Sequence, residues 1–268
     1  METLTHNKEA WNTGAYEAWV KRFGTPEEAA TKLQQNPVKR LGPIYKHIEH
    51  GLNQKRVINL LGSNGNKAVA LALLGADATV VDFSEDNEKY AQQLASAANV
   101  NIRYILSDVL HLPAEELTGD YDVVMMENGI LHYFADLKPL FQVVAKLLRS
   151  GGELVLHDFH PVTTKLITSK GTTANIRKHK VTGNYFNTDL VEKEISFSKF
   201  LHQDEHGAIT TEQMVQKVYL RHWTLGEVVT AVASEGLYVK ILEELPNLSS
   251  EVFDMGIPKT FTLVAQKV

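Results

Sequence analysis

Between residues 55 and 160, apolar runs of strand length alternate with segments whose apolar residues follow helical spacing. Residues 57–61 form a mostly apolar run of strand length, and after a polar turn the apolar residues at 68–74 follow helical spacing. Gly75 comes next, in the position where a glycine commonly ends a helix. A second strand-length run covers 78–81. Strands that alternate with helices in this way predict an α/β fold with a parallel sheet.

The turn Gly62-Ser63-Asn64-Gly65 joins the first strand to the helix. Glycine in such a turn permits positive φ and lets a ligand approach the backbone. The free N–H groups at the start of the helix point toward a ligand placed there. Asp82 ends the second strand, where a carboxylate can accept hydrogen bonds from ribose hydroxyls. The sequence therefore predicts a nucleotide-type ligand at this turn.

The glycine spacing argues against a ligand that carries phosphates. A dinucleotide site needs G-x-G-x-x-G, whereas Gly62 and Gly65 are separated by two residues and no third glycine follows before the helix interior. The turn also lacks the P-loop pattern G-x-x-x-x-G-K-[ST]. A cofactor with ribose and adenine but no phosphate fits better, and S-adenosylmethionine (SAM) is the common one. The alternative is an α/β domain whose glycine turn binds nothing.

Polar residues and tight turns also mark the ends of the later strands. The segments concerned are S-D-V at 107–109, Y-D-V-V-M-M-E-N at 121–128, L-H-Y-F at 131–134 and S-G-G-E-L at 150–154. In this order and spacing, together with the glycine turn, they resemble the class I SAM-dependent methyltransferases of the small-molecule type. The resemblance covers residues 55–160 well and residues 223–268 loosely.

The resemblance implies an α/β fold with a seven-stranded Rossmann-like sheet and helices on both faces. It also implies methyl transfer from SAM, held by the residues of the turn and by others at strand ends. The predicted cofactor-binding residues are Gly62, Ser63, Asn64, Gly65, Asp82, Phe83, Ser84, Asp108, Val109, Glu127 and Asn128. A SAM-binding protein without catalysis and an NAD-dependent oxidoreductase are the alternatives.

The first loop departs from the family pattern, which usually reads [D/E]-x-G-x-G-x-G. Asn59 stands at the opening acid, Leu61 at the first glycine and Ser63 at the second, whereas Gly65 matches the third. A leucine at a position where backbone normally lies against the methionine part of the cofactor is expected to alter how that end is held.

Two segments lie outside the predicted core. Residues 1–50 read as a helical lid in front of a domain at 51–268, and residues 160–222 read as an inserted antiparallel segment that covers the substrate. Similar methyltransferases place an aromatic residue near the sulfonium, and Trp11 and Tyr16 are the candidates here. The alternatives are that these aromatics only pack the helices onto the domain, and that the insertion is a dimer contact or an extension of the sheet.

A general base is needed only if the acceptor must lose a proton. His132 and His160 lie at predicted strand ends and could act near neutral pH, although a packed imidazole is the alternative for each. His157 and His160 with Asp158 also suggest a metal set. However, alternation along a strand sends positions three apart to opposite faces, so no metal is expected.

The amino-acid composition limits the kinds of molecule that the protein is expected to bind. The chain has 268 residues, no cysteine, and 27 basic against 32 acidic residues for a net charge of -5. A basic surface suited to nucleic acid is missing, apart from a short patch at 177–180. The sequence shows neither an apolar run of membrane-spanning length nor an apolar signal core near residue 1. We therefore expect a cytoplasmic monomer or homodimer that acts on a small molecule, without nucleic acid or membrane partners.

Overall fold

The computed structural model describes residues 14–48, 51–170, 178–196, 215–246 and 256–268. Its α-helices are α1 (Ala15–Phe23), α2 (Pro26–Gln35), α3 (Pro37–Leu41), α4 (Tyr45–Ile48), α5 (Asn66–Leu73), α6 (Glu85–Ala97), α7 (Lys138–Leu147) and α8 (Leu225–Ser234). Its strands are β1 (Arg56–Leu60), β2 (Asp77–Asp82), β3 (Arg103–Leu106), β4 (Tyr121–Glu127), β5 (Leu148–Phe159), β6 (Ile167–Lys170), β7 (Lys178–Val181), β8 (Leu190–Ser196), β9 (Val215–Arg221), β10 (Leu237–Pro246) and β11 (Pro258–Lys267). Within the described ranges, no helix has both the length and the apolar character needed to cross a bilayer.

Seven strands form one sheet in the order β10-β11-β5-β4-β1-β2-β3. The strands β1 to β5 run parallel, and β11 lies antiparallel between β5 and β10. The carboxyl ends of the parallel strands therefore meet at one edge, and the chain order reverses between β1 and β4, which is where open α/β sheets bind ligands. The predicted seven-stranded sheet is confirmed, and β10 and β11 form an antiparallel pair at its edge.

Helices cover both faces of the sheet because its strands alternate their side chains between two cores. In β1, Val57 joins a cluster with residues of α2, α5 and α6. Its neighbour Ile58 joins a second cluster with residues of α7 and α8. Both strand residues are fully buried. The prediction that helices cover both faces of the sheet is thereby confirmed.

Local signals in the sequence explain where two helices begin. The Thr25 side chain accepts a hydrogen bond from the Glu28 N–H, and the Glu28 carboxylate accepts one from the Thr25 N–H. Thr224 and Glu227 make the same reciprocal pair at the start of α8. Each capping box satisfies backbone donors that a helix leaves free at its first turn.

The N-terminal helices pack against α5 and α6. Leu33, Leu41 and Ile44 are buried in the same cluster as the helical residues Val69 and Leu94. This packing agrees with the interpretation that the segment completes the domain, while its action as a lid stays a prediction. Trp11 lies outside the described residues.

Helix α1 is tied to the start of α6 by polar contacts as well. The Asp86 carboxylate accepts a hydrogen bond from the Ala15 N–H at 3.1 Å. The Trp19 indole N–H donates to Asn87 Oδ1 at 2.7 Å. Asn87 in turn donates to Asp82 at 3.1 Å. A chain of hydrogen bonds therefore links α1 to the acid at the end of β2.

The inserted segment contains two antiparallel pairs, β6 with β7 and β8 with β9. Val218 and Leu220 on β9 are buried and pack on Tyr133, which follows β4. The Trp223 indole N–H donates to the Leu131 carbonyl at 3.0 Å. The predicted antiparallel character is seen, and the segment lies against the loop after β4.

Candidate cofactor and acceptor site

The loop after β1 has three residues in the left-handed region of φ. Leu61 has φ 50°, Ser63 has φ 50° and Gly65 has φ 69°. These are the three positions at which the family pattern carries glycine. Left-handed φ costs an ordinary L-residue roughly 1–2 kcal/mol. The chain therefore retains an alternating left-handed backbone although two of its three glycines are replaced.

Contacts with β2 and β3 hold Ser63 in this conformation. Its N–H donates to Asp82 Oδ2 at 3.1 Å, and its carbonyl accepts from the Tyr104 hydroxyl at 2.9 Å. Burial raises the pKa of the Tyr104 phenol far above its ordinary value, so the hydroxyl stays a donor. Both polar groups of the Ser63 backbone are thus satisfied by partners on other strands.

Gly62 and Gly65 are required by close packing rather than by ligand contact alone. A Cβ at Gly62 would lie 2.8 Å from Asn59 Oδ1 and 2.9 Å from Val80 Cγ1. A Cβ at Gly65 would lie 2.6 Å from the Cβ of Ala91 on α6. Asn59, at the usual place of the opening acid, donates to the Met125 carbonyl at 3.3 Å.

Asp82 organises the turn between β2 and α6. Besides Ser63, its carboxylate accepts from the Ser84 N–H and the Asn87 side-chain amide, both at 3.1 Å. Burial raises the pKa of Asp82, and these hydrogen bonds oppose that rise. The Phe83 N–H also lies close enough to the carboxylate to lower its pKa. Together these donors fix the carboxylate at the end of β2, the position for which the ribose contact was predicted.

The other predicted cofactor residues lie along the same edge of the sheet. Ser84 is buried and begins α6, with Phe83 half-buried beside it. Asp108 follows β3 and accepts from the Leu110 N–H at 2.9 Å, and Val109 is buried. Asn64 is buried and accepts hydrogen bonds from the backbone and side-chain amides of Asn66.

A partly buried ion pair that sequence reasoning missed lies beside the loop. Lys67, in the first turn of α5, pairs with Glu127 at the end of β4 with an N–O distance of 3.1 Å. Its ammonium also donates to the Leu41 carbonyl at 3.2 Å. Burial lowers the pKa of Lys67 and raises that of Glu127, and the attraction between the two opposes both shifts. A lysine directly after a ligand loop is the sequence signal that could have identified it.

Arg40 lies close enough to this ion pair to interact with the charge of Glu127. Its guanidinium lies 4.4 Å from the centre of the Phe23 ring. Its Nε is buried without a hydrogen-bond partner among the described residues. Burial lowers the pKa of Arg40, and the charge of Glu127 raises it. The cluster of Arg40, Lys67 and Glu127 therefore places both charge signs, and one unused donor, beside the loop.

Asp158 shapes the loop that follows β4. Asn128 and Gly129 have positive φ, at 59° and 81°. The buried Asp158 carboxylate, at the end of β5, accepts hydrogen bonds from the N–H groups of Gly129 and Leu131. Burial raises the pKa of Asp158 to about 6, against the effect of these amides. The loop that carries His132 is thereby fixed to β5.

His132 lies in a small cavity together with a second imidazole that the sequence did not point out. The ring centres of His132 and His222 are 5.8 Å apart. The cavity measures about 20 Å³. It is lined by Leu131, His132, Asp158, Phe159, Thr164, His222 and Trp223. His222 follows β9, so the inserted segment completes this part of the site.

His160 and Tyr16 are placed away from this cavity's lining. His160 is buried, its Nε2 lies 2.6 Å from Glu244 Oε1, and its Nδ1 accepts from the Val162 N–H at 3.1 Å. Both of its ring nitrogens are therefore engaged within the fold. The Tyr16 hydroxyl contacts Gln93 on α6, and its ring lies edge-on to Tyr90. The roles predicted for His160 and Tyr16 remain predictions.

Sequence comparison identifies the type of domain. Residues 57–152 match the family described as "Methyltransferase domain". The ubiquinone biosynthesis O-methyltransferase of Idiomarina loihiensis is 30% identical over 142 residues, which cover 52% of this chain and 56% of that protein. The demethylmenaquinone methyltransferase of Thermus thermophilus is 29% identical over 109 residues, which cover 40% of this chain and 48% of that protein. The matched part spans about half the length of these relatives.

Solved structures share the fold over most of the chain. An S-adenosylmethionine dependent methyltransferase from Mesorhizobium loti superposes with a TM-score of 0.61 at 18% identity, over 85% of this chain and 97% of its own. Magnesium protoporphyrin IX methyltransferase from Synechocystis PCC 6803, with bound SAM, gives a TM-score of 0.57 at 14% identity, over 98% and 97%. The matched part is thus a methyltransferase domain, and the chain has the fold of S-adenosylmethionine-dependent methyltransferases.

Proposed function

We propose that the protein transfers a methyl group from SAM to a small-molecule acceptor. The observation that carries the proposal is the left-handed loop at Leu61, Ser63 and Gly65, held against Asp82. It retains the backbone shape of a SAM loop where the residue types have changed. The contacts of Ser63 with Asp82 and Tyr104 hold the loop in this shape before a ligand binds.

The residues present fit the three parts of SAM. Asp82 would accept a hydrogen bond from the ribose, and Asp108 with Val109 would face the adenine. The amino-acid end of SAM is a zwitterion, and the cluster of Arg40, Lys67 and Glu127 offers both charges to it. When bound, SAM supplies an electrophilic methyl group on a sulfonium. The protein then has to orient the acceptor and exclude water.

Calorimetric titration of the purified chain with SAM, its demethylated product S-adenosylhomocysteine, and NADH tests this function. We expect binding of both adenosyl ligands in the micromolar range and no binding of NADH. Binding of NADH alone would instead support an oxidoreductase. Binding of SAM without turnover on a broad acceptor panel would support a binding protein without catalysis.

The Lys67 pair gives a prediction about one end of the cofactor. Changing Lys67 to Gln should weaken binding of S-adenosylhomocysteine about tenfold, because a charge-assisted contact to the amino-acid end is worth roughly 1.5–3 kcal/mol and Gln retains part of it. The same change should leave the affinity for 5′-methylthioadenosine, which lacks that end, nearly unaltered. Calorimetry with both ligands measures the difference.

Lys55 provides the matched control for Lys67. It pairs with Asp122 at 3.3 Å, near the amino ends of β1 and β4 and so at the opposite edge of the sheet. Lys55→Gln should alter neither affinity. If Lys67→Gln weakened both ligands equally, the cluster would not hold the amino-acid end.

A further inference from the structure

The cavity around His132 is built for an oxygen-sized polar group. Its volume of about 20 Å³ is close to the space that one ordered water needs. A Cβ built on Gly129 would lie 3.0 Å from both His132 Nε2 and the Phe159 ring. The Nε2 of His132 therefore faces the loop at the end of β4, with an aromatic ring beside it. His222 also lines the cavity, and its ring centre lies 5.8 Å from that of His132.

The fold favours the neutral form of both imidazoles. Burial, then His222, then Lys193 lower the pKa of His132 to about 4. Burial, Lys165 and Lys193 lower the pKa of His222, and a hydrogen bond to the Thr164 backbone opposes that fall. A neutral imidazole offers one N–H donor and one acceptor. A group with such a low pKa is a weak base, so it is better suited to donate a hydrogen bond to an anion than to deprotonate an ordinary alcohol.

Lys193 brings a positive charge to this part of the molecule. It lies on β8 directly opposite Val218 on β9. Residues opposite each other in an antiparallel pair project from the same face. Val218 is buried against Tyr133, the residue after His132. The face that carries Lys193 is thus the face that covers the His132 turn, and Lys193 is otherwise exposed.

Asp158 and Lys165, the charged groups nearest the cavity, are held by hydrogen bonds to the backbone. The Asp158 carboxylate accepts N–H groups of Gly129, Leu131 and Phe159. The Lys165 ammonium donates to the carbonyls of Asn187 and His222, both at 2.6 Å. Lys193, which is exposed, is therefore freer than the buried Lys165 to meet a ligand.

We propose that the acceptor is an acidic hydroxyl compound, a phenol or an enol, which binds as its anion between His132 and His222 with Lys193 as counter-charge. This inference rests on the proposed methyl transfer. The hydroxyl proton leaves to solvent when the acceptor binds. The oxygen then forms a bond to the methyl carbon as the carbon–sulfur bond breaks, and the electron pair of that bond stays on sulfur. The products are a methyl ether and S-adenosylhomocysteine.

Nitrophenols test the inference without turnover, because their anions absorb visible light and the neutral forms do not. The full chain, saturated with S-adenosylhomocysteine, is titrated with nitrophenols of different ring substitution across a pH series. We expect the bound ligand to remain an anion about one pH unit or more below the value at which the free ligand protonates. Preferred binding of the neutral phenol, or no binding of any member, would overturn the inference.

Substitutions test which residues bind the nitrophenolate anion. His132→Gln, His222→Gln and Lys193→Met should each weaken nitrophenolate binding at least tenfold, while the affinity for S-adenosylhomocysteine stays as in the parent and shows that the fold is intact. Lys180→Met, which changes an exposed lysine on β7, should alter neither affinity. Unchanged nitrophenolate binding in all three site variants would contradict the proposal. Failure of S-adenosylhomocysteine itself to bind would instead contradict the proposed function.

Discussion

Replacing Asp82 with Ala is expected to weaken the binding of SAM and S-adenosylhomocysteine at least tenfold and up to several hundredfold. The lost hydrogen bond joins a ribose hydroxyl to a charged acceptor, which is worth about 1.5–3 kcal/mol, or a factor of about 10 to 150. The same change removes the acceptor of the Ser63 N–H, so the loop also loses one of its two anchors. Calorimetric titration measures the loss.

The choice of ligand and control separates this effect from a general loss of structure. Binding of 5′-methylthioadenosine should fall by a similar factor, because that ligand retains the ribose. Asp77→Ala is the matched control: it removes an exposed acid at the other end of β2, where the nearest cation, on Arg56, is 3.7 Å away. It should leave both affinities unchanged. If Asp82→Ala bound these ligands as tightly as the parent, the ribose assignment would be wrong.

Replacing Gly65 with Ala is expected to lower the free energy of unfolding by about 2–5 kcal/mol. Left-handed φ costs an alanine roughly 1–2 kcal/mol. The new methyl carbon would also lie 2.6 Å from Ala91 Cβ, and forced packing of this kind costs about 1–3 kcal/mol. Urea-induced unfolding followed by circular dichroism gives the difference between the two proteins.

A substitution at Gly236 separates the backbone cost of Gly65→Ala from its packing cost. Gly236 has φ of 75°, but a Cβ there would have no heavy atom within 4 Å. Gly236→Ala should therefore cost only about 1–2 kcal/mol, the backbone share. Adding Ala91→Gly to Gly65→Ala should recover part of the larger loss, because it removes the opposing carbon. Equal costs at Gly65 and Gly236 would mean that the contact with α6 relaxes freely.

The fold could be predicted from the sequence because its signals are local. Apolar runs of strand length mark β1 and β2, and each lies beside a helix with its own start or stop residue. Thr25 and Thr224, each followed three residues later by a glutamate, are capping-box patterns that can be read in the sequence, and they begin α2 and α8. Asp82 could also be placed, since a residue at the carboxyl end of a parallel strand faces the ligand edge wherever the helices lie.

The rest of the site depends on contacts between distant parts of the chain. The position of the Lys67 ammonium depends on its ion pair with Glu127 and its hydrogen bond to the Leu41 carbonyl, and neither residue is near Lys67 in sequence. His222 follows a strand of the inserted segment and belongs to no motif. It joins His132 only because β9 packs on the loop after β4. The residue types and their spacing in the sequence do not indicate that these two distant histidines lie side by side.

The anchors of Ser63 also have a consequence for the order in which the chain assembles. Ser63 contacts Asp82, 19 residues away, and Tyr104, 41 residues away, and neither leucine nor serine favours left-handed φ without such partners. We therefore expect the glycine-poor turn to remain unformed while β1 folds with its neighbours, and to close only after β2 and β3 have docked. The ligand edge of this protein would then be among the last parts of the sheet to acquire its native shape.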